Sequence, residues 1–160
     1  MTLILHVDAD CFYVSCERVR YPHLIGEPVG VLGNQGACVI ARSYELKKKG
    51  VTVGMPIWEA KKLCHDAIFI KRDFLWYEVL SLEMQKILKS YGEDLEFYSI
   101  DESFMNLEGT KIQPCNGKKV SQESLYSFGK DLQMQMLSKV KVHFIMSPSP
   151  LDLSLTASVL

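Results

Sequence analysis

Tyr98-Ser99-Ile100-Asp101-Glu102-Ser103-Phe104 sets two adjacent carboxylates at the turn between a short strand and its hairpin partner, Ser103 to Leu107. Upstream of the turn, Leu95, Phe97 and Ser99 alternate with Glu96, Tyr98 and Ile100, the period of a half-buried strand. Leu5-His6-Val7-Asp8-Ala9-Asp10 repeats the device near the start: the apolar run Leu3 to Val7 reads as a buried strand, and Asp8 ends it. Carboxylates that leave a core at strand ends can share a hydrated divalent cation. Magnesium, a hard cation, takes a few carboxylate oxygens together with phosphate oxygens. If a sheet brings the two stretches together, they point to metal-assisted phosphoryl transfer. Each alone has a plainer reading, because Asp after a strand is a common turn former or helix cap and Asp-Glu at a hairpin is often a solvated turn.

At 160 residues, 48% hydrophobic and 23% charged, the chain has the composition of an ordinary globular protein. It is long enough to bury a core as one domain, or as one domain with a small subdomain. A net charge of −1 counts against a freestanding, strongly basic nucleic-acid binder, although a basic patch can coexist with a neutral total. Cys11, Cys16, Cys38, Cys64 and Cys115 are odd in number and contain no Cys-x-x-Cys, so they read as thiols in a reducing cytoplasm. Cys64-His65 is the only adjacent Cys/His pair and lacks a second ligand pair at zinc spacing. No basic region leads into a long apolar run, and no apolar stretch approaches ~18 residues. A cytoplasmic location without membrane contact is expected.

Taken in order, Asp10 stands where an N-cap belongs for a helix carrying Phe12, Tyr13, Val14, Cys16 and Val19, which Pro22 stops. Val29 to Leu32 and Ala37 to Ala41 read as strands joined by the turn Gly33-Asn34-Gln35-Gly36. Ser43 can cap a short helix, Tyr44 to Lys49, that Gly50 ends; Pro56 opens the helix Ile57 to Cys64, and Ala67 to Ile70 returns as a strand. From Phe74 to Tyr91 the apolar positions Leu75, Val79, Leu82, Ile87, Leu88 and Tyr91 recur at helical spacing, and Gly92 closes the helix. Gly109 to Lys119 reads as a loop and Gln122 to Leu137 as a helix. The order predicts an α+β architecture, a sheet layered on helices with a small inserted piece. In a ferredoxin-like sheet the first strand can lie beside the Tyr98–Leu107 hairpin, which would bring Asp8 next to Asp101 and Glu102.

With these elements in place, the chain resembles the Y-family translesion DNA polymerases, and among them the UmuC-like bacterial members. The motifs that carry the resemblance, in order, are His6-Val7-Asp8-Ala9-Asp10-Cys11-Phe12-Tyr13, Gly26-Glu27-Pro28-Val29, Cys38-Val39-Ile40-Ala41-Arg42-Ser43-Tyr44-Glu45, Lys49-Gly50-Val51-Thr52-Val53-Gly54-Met55-Pro56, and the Tyr98-to-Phe104 stretch. The resemblance implies a DNA-directed DNA polymerase, a nucleotidyltransferase of DNA repair, with an incomplete palm at residues 1–21 and 74–142 and a fingers subdomain at 22–73. It implies Asp8, Asp101 and Glu102 as catalytic carboxylates that bind two Mg²⁺ ions, with the Ala9 carbonyl as a further metal ligand. Tyr13 matches the steric gate under the sugar of the incoming nucleotide, and Phe12 either lines the same pocket or packs in the core. Tyr44 and Lys47 match positions that hold the triphosphate; Lys47 stands where Arg is commoner and offers a point charge in place of a bidentate fork. Arg42 is left facing either the nascent base pair or a phosphate. The implied partners are primer-template DNA and deoxynucleotide triphosphates, and any sliding-clamp contact is expected outside this stretch.

The motifs carry the resemblance strongly from Leu3 to Leu107 and weakly from Leu125 to Val142. His143 to Leu160, with no Lys or Arg and four Ser, reads as a divergent tail, either frayed or a weak strand. The resemblance stops short of thumb and little-finger domains, which are expected to be missing. A truncated polymerase with little activity alone is therefore expected, since many phosphate contacts that hold DNA would be missing. A non-catalytic remnant that binds nucleotide or a partner is the alternative. Another palm-type enzyme such as a cyclase fits less well, because it needs neither the Tyr13 gate nor the Cys38-to-Glu45 motif. Loss of the palm's last elements would also leave apolar surface exposed on the Phe74–Tyr91 helix.

Overall fold

The structure, a computed structural model, describes residues 4–107, 122–142 and 144–149. It forms two compact units, one made of Met1–Asp10 with Glu78–Leu160 and the other of Cys11–Tyr77. The loop expected at Gly109 to Lys119 lies outside the described residues, as does the tail beyond 149.

The first unit is built on a four-stranded sheet of β1 (Ile4–Ala9), β5 (Leu95–Phe97), β6 (Glu102–Asn106) and β7 (Phe144–Ser149), in the order β5-β6-β1-β7. Every neighbour pair is antiparallel. With α4 (Phe74–Lys89) and α5 (Gln122–Val140) between the strands in sequence, this is the ferredoxin-like arrangement expected from the element order. The backbone of Phe144–Ser149 pairs along the whole of β1, so of the two readings of this stretch the strand is the one observed. Strand alternation sends Leu5, Val7 and Ala9 of β1, with Ser103 and Met105 of β6, into buried positions. Tyr77, Leu80, Ser81, Met84, Ile87 and Leu88 are the buried positions of α4, with Leu132, Met136 and Val140 those of α5.

Leu75 is 78% exposed, Val79 50% and Leu82 49%, so the periodic set that predicts the helix divides into an exposed apolar stripe and the inward Ile87 and Leu88. The buried face instead includes Tyr77 and Ser81, polar residues that a count of apolar positions passes over. Asp10 is not the cap of α1 (Phe12–Arg20): the N-cap is Cys11, in the left-handed region at φ 47°, with no capping side chain. The turn from β1 into α1 takes one residue more than the sequence pattern suggests.

The second unit carries a three-stranded sheet of β2 (Val29–Leu32), β3 (Val39–Arg42) and β4 (Ile68–Lys71), with β3 antiparallel and β4 parallel to β2. Helices α2 (Tyr44–Lys48) and α3 (Ile57–Leu63) connect the strands. The core is Leu32, Val39, Leu46, Val51, Ala60 and Cys64, with Met55, Ile57, Ala67 and Phe69 packed against it. Ser43 caps α2 as expected, accepting from the Leu46 N–H at 3.2 Å and also from the Val29 N–H at 3.0 Å. Gly50 follows the helix with φ +87°, a conformation other residues adopt at a cost. Gly30 lets the Phe69 ring lie against the β2 backbone, where a Cβ would come within 2.8 Å of it.

Candidate functional site

The face of β1 opposite its buried side presents His6 and Asp8, and antiparallel pairing sets His6 against Phe104 and Asp8 against Glu102. The hairpin turn is then fastened to the end of β1, because the Ala9 N–H donates to the Asp101 carbonyl at 2.9 Å. Within the turn the Tyr98 and Ser99 N–H groups both reach the Glu102 carbonyl at 3.1 Å, and the Ser99 hydroxyl donates to Asp101 Oδ1 at 2.6 Å. The two acidic stretches are thus neighbours, as the ferredoxin-like order requires. His6, Asp8 and Glu102 can each offer a ligand atom within 4.8 Å of the others. His6 Nε2 is 2.7 Å from Glu102 Oε1, and the imidazole stacks on the Phe104 ring at 4.7 Å and 17°.

Burial pushes the Asp8 carboxyl above its ordinary value, and the Asp101, Glu102 and Asp10 carboxylates add to the rise while His6 opposes it. Like charges gathered at one sheet end are costly unless a cation joins them, so the donor set fits a divalent metal. Ala9, between Asp8 and Asp10, has its side chain buried, while its backbone N–H makes the bond to Asp101. His6 did not enter the sequence reading as a site residue. Its signal was available, since a residue two before Asp8 on a strand lies on the same face.

The nucleotide-facing candidates lie in the Cys11–Tyr77 unit. Phe12 is buried at 3% exposure, whereas Tyr13 is half-buried and stacks on Tyr77 at 4.8 Å and 19°, with Phe74 edge-on at 5.9 Å. On α2, Lys47 Nζ stands 5.8 Å from the centre of the Tyr44 ring, and both side chains are exposed. Arg42 donates to the Val51 carbonyl. Glu45, next to Tyr44, accepts from Arg18 at 2.9 Å, and Arg18 also donates to the Leu24 and Glu27 carbonyls at 3.1 Å. This tie, and the buried pair Glu17 and Tyr77, escaped the sequence because each partner is remote in the chain.

Solved Y-family structures share this architecture. The chain superposes on the Dbh ternary complex with a TM-score of 0.82 at 25% identity, covering 94% of this chain and 42% of that one. For the crystal structure of DinB from Sulfolobus solfataricus the TM-score is 0.79, again at 25% identity and with the same coverage of both chains. The fold is therefore that of the palm and fingers region of Y-family polymerases. The chain belongs to the impB/mucB/samB family, whose profile matches residues 7–150. That match runs through β7, past Val142, where the motifs alone lose the resemblance. Among curated relatives, DNA polymerase IV of Oceanobacillus iheyensis is 39% identical over 111 residues, covering 68% of this chain and 26% of the relative. The chain spans about a quarter of the length of that relative. Among the described residues no helix is long and apolar enough to cross a membrane.

Proposed function

We propose that this chain is the palm-and-fingers portion of an error-tolerant, DNA-dependent DNA polymerase that acts in translesion synthesis and repair. The observation that carries the reading is the register that sets Asp8 opposite Glu102, with Ala9 hydrogen-bonded to Asp101, in a chain of this family. Asp8, Asp101, Glu102 and the Ala9 carbonyl would hold two Mg²⁺ ions, which when bound supply charge neutralisation and a more acidic primer 3′-hydroxyl. The Asp101 backbone and the Ser99 hydroxyl fix the carboxylates before any ligand arrives. In the second unit, Tyr44 and Lys47 present a ring and a point charge suited to a triphosphate, and Tyr13 presents a flat aromatic edge suited to excluding a 2′-hydroxyl. Phe12 supports Tyr13 from the core.

Primer-template DNA and deoxynucleotide triphosphates are the proposed substrates, and a sliding clamp, if it takes part, binds outside this stretch. The test is single-nucleotide addition by the purified chain with Mg²⁺ and DNA in large excess. Slow, distributive addition that disappears in Asp101→Ala is expected, while addition that survives in Asp101→Ala would remove the assignment. A second reading is a nucleotide-binding remnant without turnover; Mg²⁺-dependent triphosphate binding without any addition would select it.

A further inference from the structure

Glu17 lies one helical turn beyond Tyr13 on α1 and is completely buried. Glutamates seldom are, unless they are paired. Its Oε1 accepts a hydrogen bond from the Tyr77 hydroxyl at 2.7 Å, while Oε2 is buried with no partner. Tyr77 is equally buried, and its ring lies stacked on Tyr13 at 4.8 Å and 19°. Phe74 stands edge-on to both rings, at 5.9 Å from Tyr13 and 6.3 Å from Tyr77. One residue earlier on each side, the Trp76 indole N–H donates to the Cys16 carbonyl at 2.9 Å, tying the same two segments together. A carboxylate satisfied on a single oxygen is an expensive way to fill space, for which Met or Leu would serve better. What it provides is one short hydrogen bond of fixed direction on the far end of the Tyr77 ring.

We propose that Glu17 is a positioning residue for sugar selection: by holding the Tyr77 hydroxyl it fixes the Tyr77 ring, and the stacked Tyr77 ring fixes Tyr13. The chain of contacts runs from a buried carboxylate, through a buried phenol, to the half-buried ring that would meet the nucleotide sugar. Burial and the Glu17 bond hold the Tyr77 hydroxyl protonated well beyond the ordinary phenol range, so the donor persists at any working pH. A ring free to tilt leaves room for a 2′-hydroxyl; a ring pinned from behind does not. The sugar-selection half of the proposal rests on the polymerase reading of Tyr13, whereas the pinning of the ring stands on the contacts alone.

The experiment separates the two. The full chain is labelled with 3-fluorotyrosine, and the Tyr13 resonance is identified by its loss in Tyr13→Phe. In Glu17→Met and Tyr77→Phe the Tyr13 signal should shift or broaden, whereas Glu17→Gln, which keeps an acceptor at Oε1, should restore it. Affinities for dATP and ATP with Ca²⁺ are then compared, and the preference for the deoxy sugar should fall at least about tenfold in Glu17→Met and Tyr77→Phe and recover in Glu17→Gln. An unmoved Tyr13 signal in folded Glu17→Met overturns the proposal. A signal that moves in a chain whose wild type binds dATP and ATP alike upholds the pinning and overturns the gate reading of Tyr13 instead. Should a single variant fail to fold, Glu17→Met with Tyr77→Phe leaves neither donor nor acceptor orphaned, and the Tyr13 resonance of that double variant decides.

Discussion

The two units handle charge in opposite ways. Cys11–Tyr77 has ten Lys and Arg against six Asp and Glu, and its acids are largely engaged: Glu45 with Arg18, Asp73 with Arg20, Glu17 with Tyr77. The remainder of the chain has eight basic against thirteen acidic residues, and at the end of β1 the Asp8 and Glu102 carboxylates are brought together with the His6 imidazole while Asp10 and Asp101 add their charge to Asp8. In one unit electrostatics serves the fold; in the other the fold holds charges together against their repulsion. Regions of the second kind are where function is to be sought, because strain that packing must sustain is seldom kept without a use.

The largest effect expected from that contrast is a split between activity and stability at Asp8. Asp8→Asn keeps the shape but removes one of the mutually repelling carboxylates, so the unfolding midpoint in denaturant should rise. Nucleotide transfer should at the same time fall on the order of 10³-fold, the equivalent of several kcal/mol of lost charge stabilisation. A variant that loses both stability and transfer would mean that the β1 end is an ordinary structural cluster, and the contrast between the units would collapse.

How much of this was legible in the sequence follows the same division. The elements of Cys11–Tyr77 announce themselves locally: Pro22 ends α1, Ser43 caps α2, Gly50 closes it and Gly33 to Gly36 turn the hairpin. Asp8, Asp101 and Glu102 could be placed together because strand order and a two-residue period are enough to predict register. What could not be read was any contact made through long range. Tyr77 was hidden behind Leu75 and Val79, which have the right spacing and the wrong face, and periodicity does not say which stripe of a helix meets the core. Glu17 carried no signal in the sequence, since its partner is sixty residues away. His6 carries its signal only in the strand period, two residues before Asp8 on the same face, and not in the acidic motif itself.

Of intermediate size is the effect expected at Ser43, which tests how far the second unit depends on satisfied polar groups. Its buried hydroxyl accepts from both Val29 and Leu46 and donates to the Glu27 carbonyl at 3.2 Å. Ser43→Ala should cost about 1–2 kcal/mol by loss of the cap and orphaning of the Val29 N–H, read from denaturant unfolding. The triphosphate binding proposed for Tyr44 and Lys47 should weaken in parallel, since Ser43 fixes the start of the helix that carries them. A loss below about 0.3 kcal/mol would show that water replaces the hydroxyl without penalty.

The smallest effect is the most discriminating about pairing. Burial works to raise the Glu45 carboxyl, but its own N–H, the Ser43 hydroxyl and the Arg18 guanidinium together hold it below the ordinary carboxylate value. A group with its folded value depressed stabilises the fold fully above its unfolded value, and that contribution disappears as pH falls through the folded one. Arg18→Met should therefore lose about 0.2–1 kcal/mol at neutral pH through the pair, screened because both side chains reach solvent, plus a constant amount from the lost bonds to the Leu24 and Glu27 carbonyls. Titrated downward from neutrality, the difference between wild type and variant should hold steady to about pH 5 and shrink below it, down to that constant amount. A difference that does not change with pH would mean that Arg18 acts only through the two carbonyls, as a clamp on the loop before β2, and that Glu45 is a bystander. In that case the rule that acids of this unit are spent on the fold would rest on Glu17, Asp73 and Asp66, which accepts from the Cys64 thiol.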